Sequence, residues 1–165
     1  MVLGACGNRF TQAGLETTRL EILGADYEAA TSTFRPVPLE AGELPLSFGL
    51  QGGQHVWLMV RAEPPPTAPV DLTLTAYADD HLIGEAYLAW SRSDPAAPDG
   101  GDAALSPAAA LVLERQALDR IGSTIRIGAT VDWPEGERVE TTREVRLVLD
   151  NDTTPRPGED LAFDL

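Results

Sequence analysis

Residues 124–150, TIRIGATVDWPEGERVETTREVRLVLD, decide the fold class. From 124 to 132, Ile125, Ile127, Ala129 and Val131 fall on one face, with Arg126 and Thr130 on the other. A period of two is the signature of a half-buried strand, because successive side chains point to opposite faces. Residues 133–137 bring together Trp133, Pro134 and Gly136, which punctuate the chain as a turn. Residues 138–150 return with Val145, Leu147 and Leu149 in the inward phase and Arg146 outward. Glu140 and Arg143 stand where cross-strand charge pairing can set the register. The stretch is an antiparallel hairpin.

The same alternation recurs upstream. In residues 71–77, Leu72, Leu74 and Ala76 share a face; Asp79-Asp80 supplies a turn, and 82–90 runs back with a bulge expected at Gly84. Residues 55–62, HVWLMVRA, are apolar in both phases as far as Met59, which predicts a central strand covered on both sides. Prolines at 64, 65, 66 and 69 end it. Residues 20–24 predict a first strand, and residues 44–50 a second that stops at Gln51-Gly52-Gly53-Gln54. Pro36, Pro38 and Pro45 restrict 31–45 to extended or edge forms. Residues 91–107 have loop composition. In 108–121, Leu111, Leu113, Arg115 and Ala117 at period two favour a strand at about 110–116. Ser106-Pro107 and Gly122 equally suit the start and stop of a short helix.

Seven or eight short strands between Gly, Pro and Asp turns predict an all-β fold, an Ig-like antiparallel β-sandwich over residues 20–150, with Trp57 and Trp90 in its core. Gly52-Gly53-Gln54-His55-Val56-Trp57, and the later run from Ile121-Gly122 through Ile125-Arg126-Ile127 to Val131-Asp132-Trp133-Pro134-Glu135-Gly136, carry a further likeness. Over about residues 35–150 the chain resembles the Ig-like β-sandwich module of uncharacterised bacterial surface lipoproteins. The resemblance implies an extracytoplasmic location and a binding or structural role, with no activity. The chain departs from antibody-type domains in having no cysteine pair to bridge the sheets.

Its single cysteine, Cys6, closes Leu3-Gly4-Ala5-Cys6, a lipobox-like run after which the cysteine would carry acyl chains. Only Met1 and Val2 precede it, fewer than the roughly 7–15 apolar residues of an export signal, so the reading requires a start further upstream. The alternative is a chance match in a cytoplasmic protein. Each acyl CH₂ contributes about 0.8 kcal/mol of membrane binding, so the lipid alone would hold the domain. Residues 1–19 would then be a lipobox remnant and flexible tether, and 151–165 an acidic tail. The expected address is the bacterial cell envelope, at the outer membrane or periplasmic face, with membrane contact through the N-terminal lipid only.

Twenty-six acidic residues against twelve basic ones, all arginine, give a net charge of −14. Such a surface repels phosphate backbones, so nucleic acid is not an expected partner. Chemistry has little to work with. His55 and His81 are the available general bases, and no Gly-x-Ser-x-Gly turn is present, so no enzyme is expected. No cofactor and no metal are expected. The residues nearest to a metal set are Asp79, Asp80 and His81, with a looser oxygen site conceivable from Asp79, Asp80, Asp94, Asp99 or Asp102. Asp150-Asn151-Asp152 begins like a calcium loop, but Pro155 stands where that loop needs glycine. Trp133, in the hairpin turn, is the best single candidate for a ligand contact; the alternative is that it folds onto Pro134 and closes the hairpin end. The expected function is a noncatalytic interaction or structural module with a protein or glycan partner. The alternative is a secreted calcium- or carbohydrate-binding module.

Overall fold

The computed structural model describes residues 18–39, 42–48, 53–91, 103–114, 116–134 and 136–150. Among these, the chain forms ten strands: β1 (Arg19–Glu28), β2 (Thr33–Val37), β3 (Glu43–Phe48), β4 (Gln54–Glu63), β5 (Val70–Ala78), β6 (His81–Trp90), β7 (Ala104–Leu105), β8 (Ala109–Leu113), β9 (Thr124–Asp132) and β10 (Arg138–Leu149). The fold is all-β. The expected hairpins β5–β6 and β9–β10 are present in antiparallel register. The first turns at Asp79 and Asp80, both with positive φ, the geometry of a tight two-residue connection.

Two stacked, separate sheets were the expectation; the hydrogen-bonded ladder instead closes on itself. It runs β4-β3-β10-β9-β5-β6-β8 and returns to β4, a seven-stranded barrel-like ring, with β1 and β2 continuing outward from β4. Short ladders join the edges a sandwich would leave open. β3 meets β4 at Ser47↔His55 and Phe48↔Gln54, and β6 meets β8 at Gly84↔Leu113. Closure removes unpaired edges that would otherwise invite other chains. The sheet is also not wholly antiparallel, since β3 runs parallel to β10 from Glu43↔Arg146 to Leu46↔Leu149.

β4 is covered on both faces, as its sequence requires. Val56, Leu58, Val60 and Ala62 point into the barrel, where they meet Leu72, Leu74, Ile125, Ile127, Leu111 and Leu147. Trp57 and Met59 point outward, under Leu23 and Ala25 of β1, Phe34 of β2 and Leu105 of β7. Trp90 is fully buried in the barrel. Trp57, also expected in the main core, belongs to the smaller outer cluster because it stands in the opposite phase of β4.

Other expectations change in detail. In 108–121 the strand alternative is the one formed: β8 runs from Ala109 to Leu113 in place of a helix started by Ser106-Pro107, and a single 3₁₀ turn lies at Ala117–Arg120 with Ala117 buried. The predicted loop 91–107 contains β7, which pairs with Arg61 and Ala62, and Ser106, whose Oγ accepts the Val60 amide proton at 2.9 Å. Leu149, expected inward, is 45% exposed. The β9 ladder stops at Thr124↔Arg146, so no β9 side chain reaches that far. Among the described residues neither Glu140 nor Arg143 makes the expected cross-strand charge pair. Arg143 donates to the Leu39 carbonyl at 2.6 Å, and Glu140 lies opposite Thr130. The charge pair beside the turn is Arg138 with Asp132, bonded at 2.6 and 3.1 Å.

Gly84 sits at the seam. A Cβ there would lie 2.6 Å from the Val112 carbonyl oxygen and 2.8 Å from Leu113 Cδ2. The first is backbone and cannot move away without breaking the bridge that closes the ring. Gly84→Val is expected to lower stability by about 1–3 kcal/mol or more. It should also speed exchange of the Glu114 amide, which donates to the Ile83 carbonyl at the same seam. An unchanged denaturation midpoint would refute this role. A second expectation concerns pH. Arg138, bonded to Asp132, holds that carboxyl below its ordinary range. A depressed carboxylate contributes stability that is present above its unfolded pKa and is lost as pH falls through the folded one. The stability gap between the wild type and Asp132→Asn in urea titrations is therefore expected to shrink toward zero on acidification below the ordinary aspartate range.

Candidate functional site

Cys6, Asp94, Asp99, Asp102 and the 151–165 tail lie outside the described residues. Trp133 is half-buried against the barrel core, and its backbone amide donates to the Glu137 carbonyl at 2.8 Å. That backbone bond closes the hairpin end, while the side chain packs toward the core. Asp79, Asp80 and His81 face three different partners. The carboxylate of Asp79 lies 3.4 Å from Arg120, that of Asp80 3.1 Å from Arg126, and the His81 ring 3.9 Å from Glu114. Among the described residues no group of three or more His, Cys, Asp or Glu is placed to hold a metal ion. His55 is buried, edge-on to Trp57 at 5.4 Å between ring centroids. Among the described residues no helix is long and apolar enough to cross a membrane.

The first surface of interest follows from how β4 shares one edge. β3 pairs with Gln54 and His55, whereas β1 takes over from Leu58 onward. Val56 and Trp57 fall between the two ladders, and a groove of about 280 Å³ opens there. Val37, Pro38, Leu39, Pro45, Trp57 and Val148 make it largely apolar, and Gly24 and Ala25 form a wall. The rim carries the Asp26–Arg35 ion pair at 2.7 Å, and Glu43, bonded to Arg146. The hydrogen bond to Asp26 raises the Arg35 pKa further above its usual value. Behind the groove, Phe34 stacks on Trp57 at 4.4 Å and Tyr27 tilts against Phe34 at 5.2 Å. Among the described residues the lining holds no hydroxyl, thiol or imidazole, and its chemistry is that of burial and charge pairing.

The second surface is the outer face of β10, β9, β5 and β6. Register aligns side chains of one phase into rows: Glu140, Thr130, Thr73 and Tyr87, then Thr142, Gly128, Thr75 and Glu85, then Glu144, Arg126 and Tyr77. A shallow trough of about 490 Å³ lies over the middle of this face, between Tyr77 and Glu140. The Arg126 guanidinium sits 5.1 Å from the Tyr77 ring centroid. Tyr87 is 71% exposed, and a hydrogen bond to Glu85 raises its phenol pKa.

Sequence reasoning missed Tyr77, Tyr87 and Gly128 as surface features. The available signal was the polar phase of 73/75/77 and 126/128/130, which acquires meaning only once the two strands are set side by side.

The chain matches no protein-family model and no curated protein.

Proposed function

We propose that this protein is a noncatalytic, lipid-anchored extracytoplasmic interaction module, an Ig-like β-domain held on a bacterial envelope through Cys6. The strand order supports the Ig-like part of this reading. β1-β4-β8 and β10-β9-β5 follow the A-B-E and G-F-C neighbours of that fold, here joined into one ring.

The observation that carries the interaction role is the groove between β1 and β3 and its distance from the tether end. The chain enters β1 at Arg19, opposite Glu63, while the groove wall is formed by Gly24 and Ala25. At about 3.3 Å per residue, roughly 20 Å separates the tether attachment from the groove. A lipid at Cys6 would leave that surface clear of the bilayer. The partner we assign to it is a protein segment with an apolar anchor and a basic flank. The floor is apolar, and a net charge of −14 steers cationic partners.

Two measurements test this. With the gene expressed in a bacterial host together with its native upstream sequence, an alkyne fatty acid is expected to label the wild type and not Cys6→Ser. A wild type that takes up no label would end the lipid-anchor reading. A photo-crosslinking residue replacing Val148 is expected to capture one discrete partner in intact envelopes, while the same residue at Val112, exposed on β8, captures none. No adduct from Val148, or the same adduct from both positions, would remove the groove from the proposal.

A further inference from the structure

The groove between β1 and β3 leaves apolar side chains open to water. Val37, Trp57 and Val148 are half-buried in its lining, and Pro38 and Pro45 are exposed. Covering such surface is favourable in proportion to the apolar area removed from water. The rim does not oppose a negatively charged occupant, because Arg35 is matched by Asp26 and Glu43 by Arg146.

The chain leaves β10 beside this groove. Val148, part of its lining, stands two residues before Asp150. Asp150 is fastened to β3: its amide donates to the Leu46 carbonyl at 3.1 Å, and its carboxylate accepts the Ser47 hydroxyl at 2.7 Å. Residues 151–165, NDTTPRPGEDLAFDL, follow. Their large apolar side chains are Leu161, Phe163 and Leu165, at a period of two, so an extended segment presents all three on one side. Pro157-Gly158, between the exit and these residues, has the composition of a turn and lets the chain reverse.

The reach suits the site. A flexible chain of the length from Asp150 to Leu161 spans roughly 17–20 Å. A segment tethered that closely to a surface meets it at an effective concentration of roughly millimolar, so even a weak apolar contact is populated. The N-terminal segment is less well placed, because it joins β1 at Arg19, roughly 20 Å along the strand from the groove wall.

We propose that the chain's own C-terminal segment lies in the groove, with Leu161, Phe163 and Leu165 against the apolar floor. The contact itself needs no partner. Its consequence, competition between this segment and an external protein for one surface, rests on the groove being the partner's seat.

The test is paramagnetic broadening of amide NMR signals in the full chain. A nitroxide is attached at Asp164→Cys in a Cys6→Ser background, which keeps Leu161, Phe163 and Leu165 in place. It is expected to broaden the amides of Ala25, Val37 and Leu39 around the groove and to leave those of 72–76 in β5 sharp. Adding Leu161→Ser and Phe163→Ser to the same labelled chain is expected to remove most of that broadening, with the chemical shifts of β5 and β9 reporting that the fold is kept. The proposal is overturned if no groove amide broadens, or if the serine variant broadens them as strongly, which would make the segment merely a neighbour of the groove. It is also overturned if spin-labelled chain broadens the groove amides of isotope-labelled chain that carries no nitroxide, because the occupant would then be a second copy. Crosslinking from Val148 in envelopes reads the external partner separately. That capture can fail while the intramolecular broadening persists, and the converse.

Discussion

The structure depends on β4 having to satisfy two faces and two edges along ten residues. Its side chains are apolar in both phases, so neither face tolerates water, and its backbone groups need partners on both sides. β8 and β7 complete one edge; β3 and then β1 complete the other. No single neighbour spans the length of the strand. Each edge is therefore shared, and each handover from one partner to the next leaves an irregularity. The groove beside Trp57 is one such place, a consequence of how β4 is paired rather than a feature added to the surface.

Closure of the ring follows from the same demand. Once β8 lies against β4 and β3 leaves β4 for β10, the two halves are linked on one side through β3, and the other side needs only a contact between β6 and β8. That contact is a single pair at Gly84, aided by the Glu114 amide donating to the Ile83 carbonyl at 2.8 Å. The register shifts between Ala76 and Tyr77, leaving Ile83 of β6 as the extra residue beside Gly84, and such a bulge bends its strand. The interior then fills with aliphatic side chains and Trp90, whose burial supplies the main favourable free energy of the fold.

The exterior is shaped by arginine. Arg35, Arg126, Arg138 and Arg146 each reach a carboxylate on a neighbouring strand or turn, which disperses part of the negative charge in local pairs. Exposed pairs of this kind contribute little stability individually. Their arrangement leaves a central strip of threonines and Gly128 on the outer face without charge, bordered by Tyr77 and Tyr87. In so acidic a chain that strip is chemically distinct from the surface around it.

The chain by itself determined which side chains turn inward. Leu72, Leu74, Ala76, Ile125, Ile127, Ala129, Val131, Val145 and Leu147 are all buried, and all were legible from alternation. That holds because side-chain direction in a strand is set by the residue's own backbone and needs no knowledge of the partner. The Asp79-Asp80 turn was legible for the same local reason. Pairings between distant strands were not: β3 with β10, β8 with β4, and the bridge at Gly84. Those partners are far apart in sequence, and hydrogen bonding between backbones carries no mark of residue type. The closed ring, the exposure of Leu149, the groove beside Trp57 and the rows around Gly128 all arise from such pairings, so only the tertiary structure decided them.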